Sequence, residues 1–259
     1  MNPRMPALFI GHGSPMLAVE PSRYSAIWRQ LAAQTTRPRA ILVVSAHWYT
    51  RGTGVTAMRA PRTIHDFYGF PQVLFDCRYP APGDPELAAR IRQLLHPATV
   101  VADDDWGLDH GSWAVLLHMY PEATVPVLQL SIDAGLGAAG HYQLAQKLRP
   151  LRDQGVLILG SGNVVHNLRR MQRDPAAPAY EWAARFEAIV NEAVLVRDHD
   201  TLIHHERHGE AARLSIPTPE HYLPLLYVLA QQLDSDQISV PVLGIENASL
   251  SMLCVRLAA

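Results

Sequence analysis

The sequence predicts a single α/β domain with a central, mostly parallel or mixed sheet flanked by helices. Apolar segments of strand length alternate along the chain with segments of helical period, the pattern of a sheet covered by helices. Two of the apolar segments, residues 41–46 and 155–160, contain almost no polar side chains, which is typical of strands buried on both faces. Because no repeat, low-complexity region or linker divides the chain, we expect one domain over residues 1–259.

The other elements follow from the same two periods, and the segment at 54–58 is expected to form a strand that neighbours the one at 41–46. The predicted strands are residues 7–10, 41–46, 54–58, 125–130, 155–160, 239–243 and 251–257. The predicted helices are residues 24–33, 85–95, 112–119, 141–151 and 180–194, with a last helix that begins at Thr218. Asp84 before Pro85 and Thr218 before Pro219 are N-cap signals. Pro224 is expected to bend the last helix or keep it short.

Composition excludes several classes of protein. The net charge is −2 without a basic cluster, which argues against nucleic acid or an anionic membrane as the main partner. Cys77 and Cys254 lie far apart without a CxxC motif, which argues against a disulfide framework and a thiolate zinc site. The segment 1–6 lacks the apolar region of a signal peptide, and no apolar run reaches the roughly 20 residues of a membrane span. We therefore expect a cytoplasmic protein, and the sequence is compatible with a homo-oligomer.

Histidine is unusually frequent, with 13 residues, and four of them share one predicted environment. His12, His47 and His166 each follow an apolar strand, and His221 lies at the start of the last helix. In α/β sheets, ligands bind beyond the carboxyl ends of the strands, so these positions meet at one rim. Four nitrogen donors without cysteine suit zinc, iron or a similar divalent ion. The sequence thus predicts one metal site per chain at the strand-end rim.

Other segments add candidate residues around this site. His110, flanked by Asp109 and Gly111 at a probable helix start, is placed as an acid or base rather than as a ligand. The aromatic, glycine-punctuated loop at 64–71 either walls a pocket for a flat apolar ligand or packs on the surface. A polar stretch contains four histidines that are expected to be ordinary surface residues, namely His199, His204, His205 and His208.

Six motifs spread over the chain contain or adjoin these histidines. They are GHGSP at 11–15, SAHW at 45–48, HDFYGFP at 65–71, WGLDHGSW at 106–113, GSGNVVHN at 160–167 and TPEHYLPLLYVL at 218–229. Together they resemble the class III extradiol ring-cleavage dioxygenases, and within them the 4,5-DOPA dioxygenase branch. The resemblance implies a single catalytic α/β domain that cleaves a DOPA-like catechol with O₂ at a mononuclear non-haem metal. Fe(II) is the metal implied for catalysis, and Zn(II) is able to occupy the same site.

The resemblance also implies roles for particular residues. His12, His47 and His221 match metal ligands, His166 matches a fourth ligand or a base, and His110 matches an acid or base. The implied substrate pocket contains Ser14, His65, Phe67, Tyr68, Asn163 and Tyr222. Better-known relatives complete the ligand set with a glutamate, for which Glu220 is the rival of His221. Adjacent residues at a helix start point about 100° apart, so only one of the two reaches the metal, and we expect His221.

Three questions stay open at the level of sequence. The carboxylate of a DOPA-like substrate needs a cation such as Arg51 or a backbone anion pocket. A zinc hydrolase would use the same ligands, because zinc-bound hydroxide suits ester or amide hydrolysis. A non-enzymatic interaction module of the same fold is the other alternative, and such a module is expected to lose its metal histidines, whereas this chain has all five.

Overall fold

A six-stranded mixed sheet lies at the centre of the computed structural model, which describes residues 4–259. Residues 1–3, which belong to the predicted domain and to the segment expected to lack a signal peptide, lie outside the described residues. The strands are β1 (Ala7–Gly11), β2 (Ala40–Ser45), β3 (Tyr49–Thr50), β4 (Thr53–Thr56), β5 (Val100–Asp103), β6 (Val127–Gln129), β7 (Ile132–Asp133), β8 (Val156–Gly162), β9 (Gln237–Val242), β10 (Ile245–Glu246), β11 (Leu250–Ser251) and β12 (Cys254–Ala258). The helices are α1 (Arg23–Ala33), α2 (Gln72–Phe75), α3 (Pro85–Leu95), α4 (His110–Met119), α5 (Ala138–Gln146), α6 (Pro150–Asp153), α7 (Glu181–Leu195), α8 (His199–Ile203), α9 (Gly209–Ser215) and α10 (Leu223–Leu229), with 3₁₀ turns at Pro15–Ala18 and His205–His208.

The strand order in the central sheet is β6-β2-β8-β1-β12-β9. The first four strands run parallel, whereas β12 is antiparallel to both β1 and β9. Register aligns Ser45 with Ser161 and Gly11 with Gly162, so β2, β8 and β1 end at the same level. This arrangement confirms the predicted mixed sheet flanked by helices, and it brings the segments after these three strands to one rim.

Alternate residues of the central strands face two separate hydrophobic cores. Leu42, Val44 and Ile158 pack on one face with residues of α3, α5, α7 and α10. Ile41 and Val43 pack on the other face with residues of α1 and α4. Because both faces are covered, these strands lack the polar alternation of a half-exposed sheet, which explains the continuous apolar runs in the sequence.

Four predicted elements differ from the structure. The strand predicted at 251–257 is divided into β11, which pairs with β10, and β12, which pairs with β1 and β9 in the central sheet. The strand predicted at 54–58 is β4, which pairs with β5 outside the central sheet, because β6 and β8 already occupy both edges of β2. The helix predicted at 141–151 is divided into α5 and α6, since Pro150 has no N–H for a continuous helix and instead begins α6. The last helix begins at Leu223 rather than near Thr218, and Pro224 fits within its first turn without a bend.

The histidine-rich stretch is less exposed than the sequence predicts. His199, His204, His205 and His208 are all half-buried, and they lie in α8 and the adjoining turns. His199 Nε2 lies 2.7 Å from the Gln232 side-chain oxygen and contributes to packing rather than to a surface. Separately, no helix in the described range 4–259 has the length and apolar character that crossing a membrane requires.

A buried ion pair ties the start of the chain to the segment before β9. Arg152 donates from both Nη atoms to Asp236, at 2.6 and 2.8 Å, and its Nε donates to the Met5 carbonyl. Both side chains are fully buried. Burial alone would raise the pKa of Asp236, but the hydrogen bonds from Arg152 and the Leu233 N–H, with the attraction of Arg152 and Arg4, leave that pKa lowered.

Replacing Asp236 with asparagine is therefore expected to destabilise the protein by about 3–5 kcal/mol at pH 7, because it leaves the Arg152 charge buried without a counterion. A carboxylate whose folded pKa is lowered contributes its stability above the unfolded value of about 3.9 and loses it as pH falls through the folded pKa. The difference between wild type and variant should thus shrink below about pH 4. Urea unfolding of both proteins at pH 7 and pH 3 measures this difference in the free energy of unfolding. If the difference is the same at both pH values, the prediction is contradicted.

Candidate metal centre

Two of the candidate ligands stand directly at the ends of central strands. His12 follows β1, and its backbone N–H donates to the Gly162 carbonyl at the end of the neighbouring strand β8. His47 lies two residues beyond the end of β2, after a turn in which the Ala46 N–H donates to the Ser161 carbonyl. The parallel strands thus deliver both imidazoles to the same edge of the sheet, as the strand-end rule predicts.

His221 reaches this edge from the C-terminal part of the chain. It lies in a turn before α10, in which the N–H groups of Tyr222 and Leu223 donate to the Pro219 carbonyl. The His221 carbonyl accepts a 2.8 Å bond from the Asn163 N–H. A methyl group on Gly162 would overlap this same carbonyl, so the absence of a side chain at Gly162 lets the turn pack against the end of β8.

The three imidazoles converge on one point. Their ligand atoms all lie within 4.8 Å of one another, and the Nε2 atoms of His12 and His47 are 3.2 Å apart. The ring centroids of His221 lie 5.5 Å from His12 and 5.2 Å from His47. His12 and His221 are buried and His47 is half-buried. The three rings therefore form a compact, largely desolvated donor set.

An oxygen lies at Nδ1 of each ring. The Ser161 hydroxyl donates its only hydrogen to the Gly111 carbonyl at 2.6 Å, so it accepts from His12 Nδ1–H at 3.0 Å. His221 Nδ1–H donates to Glu220 at 3.2 Å. His47 Nδ1 lies 3.2 Å from the Asp66 carboxylate, a charge contact without hydrogen-bond geometry that still favours a hydrogen on Nδ1. Each ring thus presents Nε2 to the centre, as metal-bound histidines do.

Burial keeps these rings neutral. It lowers the pKa of His12 and His221 well below the ordinary histidine value, and the nearby imidazoles lower it further. Burial and the repulsion of His110 lower the pKa of His47 to about 3, although Asp66 opposes them. Neutral imidazole is the form that binds metal. The set is therefore ready to bind a cation at neutral pH without losing protons first.

The donor set fits a divalent metal ion. His221 Nε2 is buried and has no hydrogen-bond partner within residues 4–259. A buried polar atom without a partner costs free energy, and two lone pairs that face each other at 3.2 Å repel. A cation bound between the three Nε2 atoms removes both costs. Three imidazoles without thiolate suit Fe(II) and Zn(II) alike.

Asp66 connects one of these rings to His110. Its Oδ2 accepts the His110 Nδ1–H at 2.9 Å and its Oδ1 accepts the His110 backbone N–H at 2.9 Å, while His47 Nδ1 lies 3.2 Å from Oδ2. Burial raises the pKa of Asp66, but the two hydrogen bonds from His110 and the charges of His110 and His47 outweigh burial and lower it. Asp66 is therefore a carboxylate at neutral pH. Although Asp66, His47 and His110 are also within 4.8 Å of one another, the contacts of Asp66 with the two rings already account for that proximity.

His110 is held at the first residue of α4, where Asp109 is the N-cap and accepts the Ser112 N–H. Asp109 also accepts the Ser45 hydroxyl at 2.7 Å, which ties the helix to the end of β2. Since Asp66 fixes the hydrogen of His110 on Nδ1, Nε2 is the atom left to exchange a proton. The ring centroid of His110 lies 3.9 Å from that of His47, so this exchange would occur beside the donor set.

His166 stands beside the donor set without joining it. Its ring stacks on His221 with the centroids 3.5 Å apart and the planes at 5°. Within residues 4–259, His166 belongs to neither set of ligand atoms that lie within 4.8 Å of one another. Burial lowers the pKa of His166 to about 4, with Glu220 opposing and His110 adding to this effect. His166 is thus a neutral imidazole stacked on one ring of the donor set.

The residues predicted to form the pocket take different positions. Phe67 meets His110 edge-on with centroids 5.5 Å apart, and His65 packs against Phe67 at 5.8 Å. Tyr68 is 92% exposed, and Ser14 caps the 3₁₀ turn at Pro15–Ala18. Asn163 is buried and donates to the Ser251 carbonyl. Tyr222 lies in the hydrophobic core with its hydroxyl on the Leu202 carbonyl, away from the predicted pocket wall.

Two cavities bear on where a substrate fits. One of about 400 Å³ is lined by His166, Asn167, Leu168, Arg169, Pro217, Thr218, Glu220 and His221, and so opens directly on the histidine centre. A larger one of about 560 Å³ is lined by residues 205–216 of the histidine-rich stretch and the helix that follows it. The larger cavity includes none of the three converging rings. The smaller cavity is therefore the candidate substrate cavity, because His221 lines it.

Sequence reasoning missed the residues that orient the rings. Asp66 and Ser161 lie within two of the motifs, but the motifs alone assign them no role. The sequence presents Glu220 only as a rival ligand to His221. The structure places the Glu220 carboxylate on Nδ1 of His221, outside the set of converging atoms. A carboxylate next in sequence to a histidine, as in His65-Asp66 and Glu220-His221, was the available signal. That signal does not reveal which ring the carboxylate contacts.

An α/β sheet with three neutral imidazoles at its carboxyl rim defines a metal-binding enzyme. The chain belongs to the family described as the catalytic LigB subunit of aromatic ring-opening dioxygenase, whose model matches residues 6–235. The family confirms the resemblance to extradiol dioxygenases and favours that activity over the hydrolase and interaction-module alternatives. The protein is a metal-dependent ring-opening dioxygenase, which uses an aromatic substrate and O₂.

Individual relatives agree with this assignment. The 4,5-DOPA dioxygenase extradiol of Escherichia coli K12 is 52% identical over 259 residues, covering 98% of this chain and 95% of the relative. The protein of the same name from Beta vulgaris is 42% identical over 226 residues, covering 84% of this chain and 83% of the relative. A crystal structure of an uncharacterised Escherichia coli K12 protein matches with a TM-score of 0.86 and 48% identity, over 98% of this chain and 99% of that one.

Proposed function

We propose that the chain cleaves the ring of a DOPA-like catechol, and that His12, His47 and His221 hold a single Fe(II) ion for this reaction. The proposal rests chiefly on one observation, the convergence of three imidazoles within 4.8 Å, each with an oxygen beside its Nδ1 atom. The names of the relatives support the substrate class. Iron is favoured over zinc for catalysis because zinc has no redox chemistry.

A divalent metal held by His12, His47 and His221 would lower the pKa of the catechol hydroxyls and would supply the redox chemistry for the reaction with O₂. The protein supplies the proton transfers. His110 Nε2 is free to accept the proton of one catechol hydroxyl, because Asp66 holds the other ring nitrogen as N–H and stabilises the imidazolium that forms. His166, neutral at working pH and stacked on His221, is a second acceptor. The histidine that accepted the proton from the catechol can donate it again as the ring-opened product forms.

The surrounding side chains orient the catechol and exclude water. Phe67 presents its edge to His110 and packs with Phe70 and Phe75, so that one side of the centre has an aromatic wall. A planar catechol ring packs well against such a wall. The rings of His12 and His221 are buried, which keeps water away from this side of the donor set. These contacts hold the diol at the centre while the proton is transferred.

Metal exchange tests the proposal. The protein is stripped of metal, reconstituted anaerobically with Fe(II) or Zn(II), and mixed with DOPA and O₂. We expect oxygen uptake with the yellow ring-fission chromophore for the Fe(II) protein, and neither for the Zn(II) protein. Zinc-dependent hydrolysis of an ester or amide without oxygen uptake would overturn the proposal in favour of the hydrolase.

Asp66→Asn is expected to lower kcat/KM by about 10- to 100-fold, the usual cost of losing a partner that orients a ligand. The asparagine carbonyl still accepts one N–H bond from His110. It lacks the negative charge that lies beside both His47 and His110. Asp76→Asn is the matched control, since Asp76 is exposed and bonds only Gln72 within residues 4–259. Metal content and steady-state kinetics of both variants check this, and equal activity of the two variants would contradict it.

A further inference from the structure

The 400 Å³ cavity beside the histidine centre has the size of a small-ligand pocket. His221, one of the three converging rings, and His166, which stacks on it, both line this cavity, so a substituent on a ring bound at the centre has this space beside it. Leu168 and Pro217 supply apolar surface for a short carbon chain. The cavity is therefore the place where the side chain of a substituted catechol would lie.

Two charged residues line this cavity, and only one is already engaged. Oε1 of Glu220 accepts both the Thr218 hydroxyl at 2.7 Å and His221 Nδ1–H. Arg169 is exposed, and in the described part of the chain it forms no salt bridge within 4.0 Å and no side-chain hydrogen bond. Arg169 thus lines the cavity without a counterion from the described residues, although Glu220 lines the same space.

A free guanidinium at the wall of a ligand cavity has a specific chemical complement. Its planar fork of N–H donors matches a carboxylate with two parallel, charge-assisted hydrogen bonds. Arg51, the cation considered from the sequence, lies exposed in the turn between β3 and β4 and does not line this cavity. Arg169 follows His166 by three residues, on the segment that carries the ring stacked on His221.

We propose that Arg169 binds the carboxylate on the substrate's side chain and thereby selects catechols that carry an anionic substituent. This inference rests on the proposed ring cleavage of a catechol. Arg169 acts on specificity and not on the ring-opening steps, because it lies at the cavity wall and not in the converging donor set. Its contribution should therefore appear in substrate binding and in KM rather than in kcat.

The test compares two ligands that differ in one group: DOPA and dopamine, which lacks the carboxylate. In Arg169→Gln we expect kcat/KM for DOPA to fall at least about 10-fold, mostly through KM, the size of a lost charge-assisted hydrogen bond. The value for dopamine should stay nearly constant, so the preference for DOPA over dopamine is lost. Arg169→Lys should recover part of that preference, since it keeps the charge without the fork. Arg170→Gln is the matched control, because Arg170 is an exposed neighbour that does not line the cavity.

Anaerobic titration calorimetry with the same ligands separates this inference from the proposed function. If wild type binds DOPA more tightly than dopamine and Arg169→Gln removes this preference, the role of Arg169 is supported, even if no ring is cleaved. In that case, the absence of cleavage overturns the proposed function and leaves the role of Arg169 standing. If wild type and Arg169→Gln show the same ratio of DOPA to dopamine affinity, the role of Arg169 is overturned, whatever the turnover. A loss of preference in Arg170→Gln of equal size would overturn it as well, by showing a general effect of surface charge.

Discussion

Replacing His47 with alanine is expected to abolish stoichiometric metal binding and, with it, ring cleavage. His47 supplies one of the three imidazoles whose ligand atoms converge within 4.8 Å in the described chain. Among these three rings, that of His47 is the one whose Nδ1 lies beside Asp66, at 3.2 Å. Losing a ligand is more severe than losing a residue that orients it, which typically costs 10- to 100-fold in affinity, so we expect a loss above about 100-fold. Metal analysis after Fe(II) loading and desalting measures this directly.

The control for this experiment is His204→Ala. His204 is a half-buried histidine of the histidine-rich stretch, and its ring bonds to Asp200 rather than to the centre. It should retain full metal content and activity. A His47→Ala protein that retains one metal per chain, with circular dichroism like that of wild type, would contradict the central assignment.

Replacing His110 with alanine is expected to leave metal content unchanged and to lower kcat by about 10²- to 10⁴-fold, the usual contribution of a positioned acid or base. The ring contacts Asp66 through Nδ1, so its removal leaves the Nδ1–H bonds of His12 and His221 in place. What is lost is the Nε2 atom beside His47 that exchanges a proton with the substrate. Single-turnover kinetics of the Fe(II) protein, with metal content measured on the same sample, distinguishes this from loss of the ion.

His118→Ala is a suitable comparison for His110→Ala. His118 lies near the other end of α4, and its Nε2 donates to the Leu17 carbonyl away from the centre. Its removal should alter stability and not kcat. Undiminished turnover in His110→Ala would remove the acid-base role from His110 and leave His166 as the only imidazole placed for that role.

The part of the fold that rests on two-sided burial was predictable from the sequence. The strands at β2 and β8 are continuous apolar runs because both faces of the sheet are covered, and a run of this kind has few other interpretations. Once these strands are parallel, His12 and His47 must meet at the same edge. The rim position of His221 was predicted from its place at a helix start, but its role as a ligand came from the family resemblance, since nothing local to residue 221 shows which strand its turn will pack against.

Other features depended on contacts between distant residues. Thr218 and Pro219 form a strong local helix-start signal, but Thr218 bonds the Glu220 side chain, and the His221 carbonyl bonds the Asn163 N–H, so a turn replaces the expected helical residues. The role of Asp66 depends on His110, which is 44 residues further along the chain. Neither spacing nor composition contains that pairing, and it became visible only with the fold.

The positions of the ligands along the chain have a consequence for biosynthesis. His12 leaves the ribosome first, yet β1, the strand that carries it, lies between β8 and β12, and β12 ends at Ala258. His221 is synthesised more than 200 residues after His12. The three donors therefore stay apart until these strands have paired and the last turn has packed against them. Because preformed sites rarely exist before folding, we expect the metal to bind only after the sheet has formed.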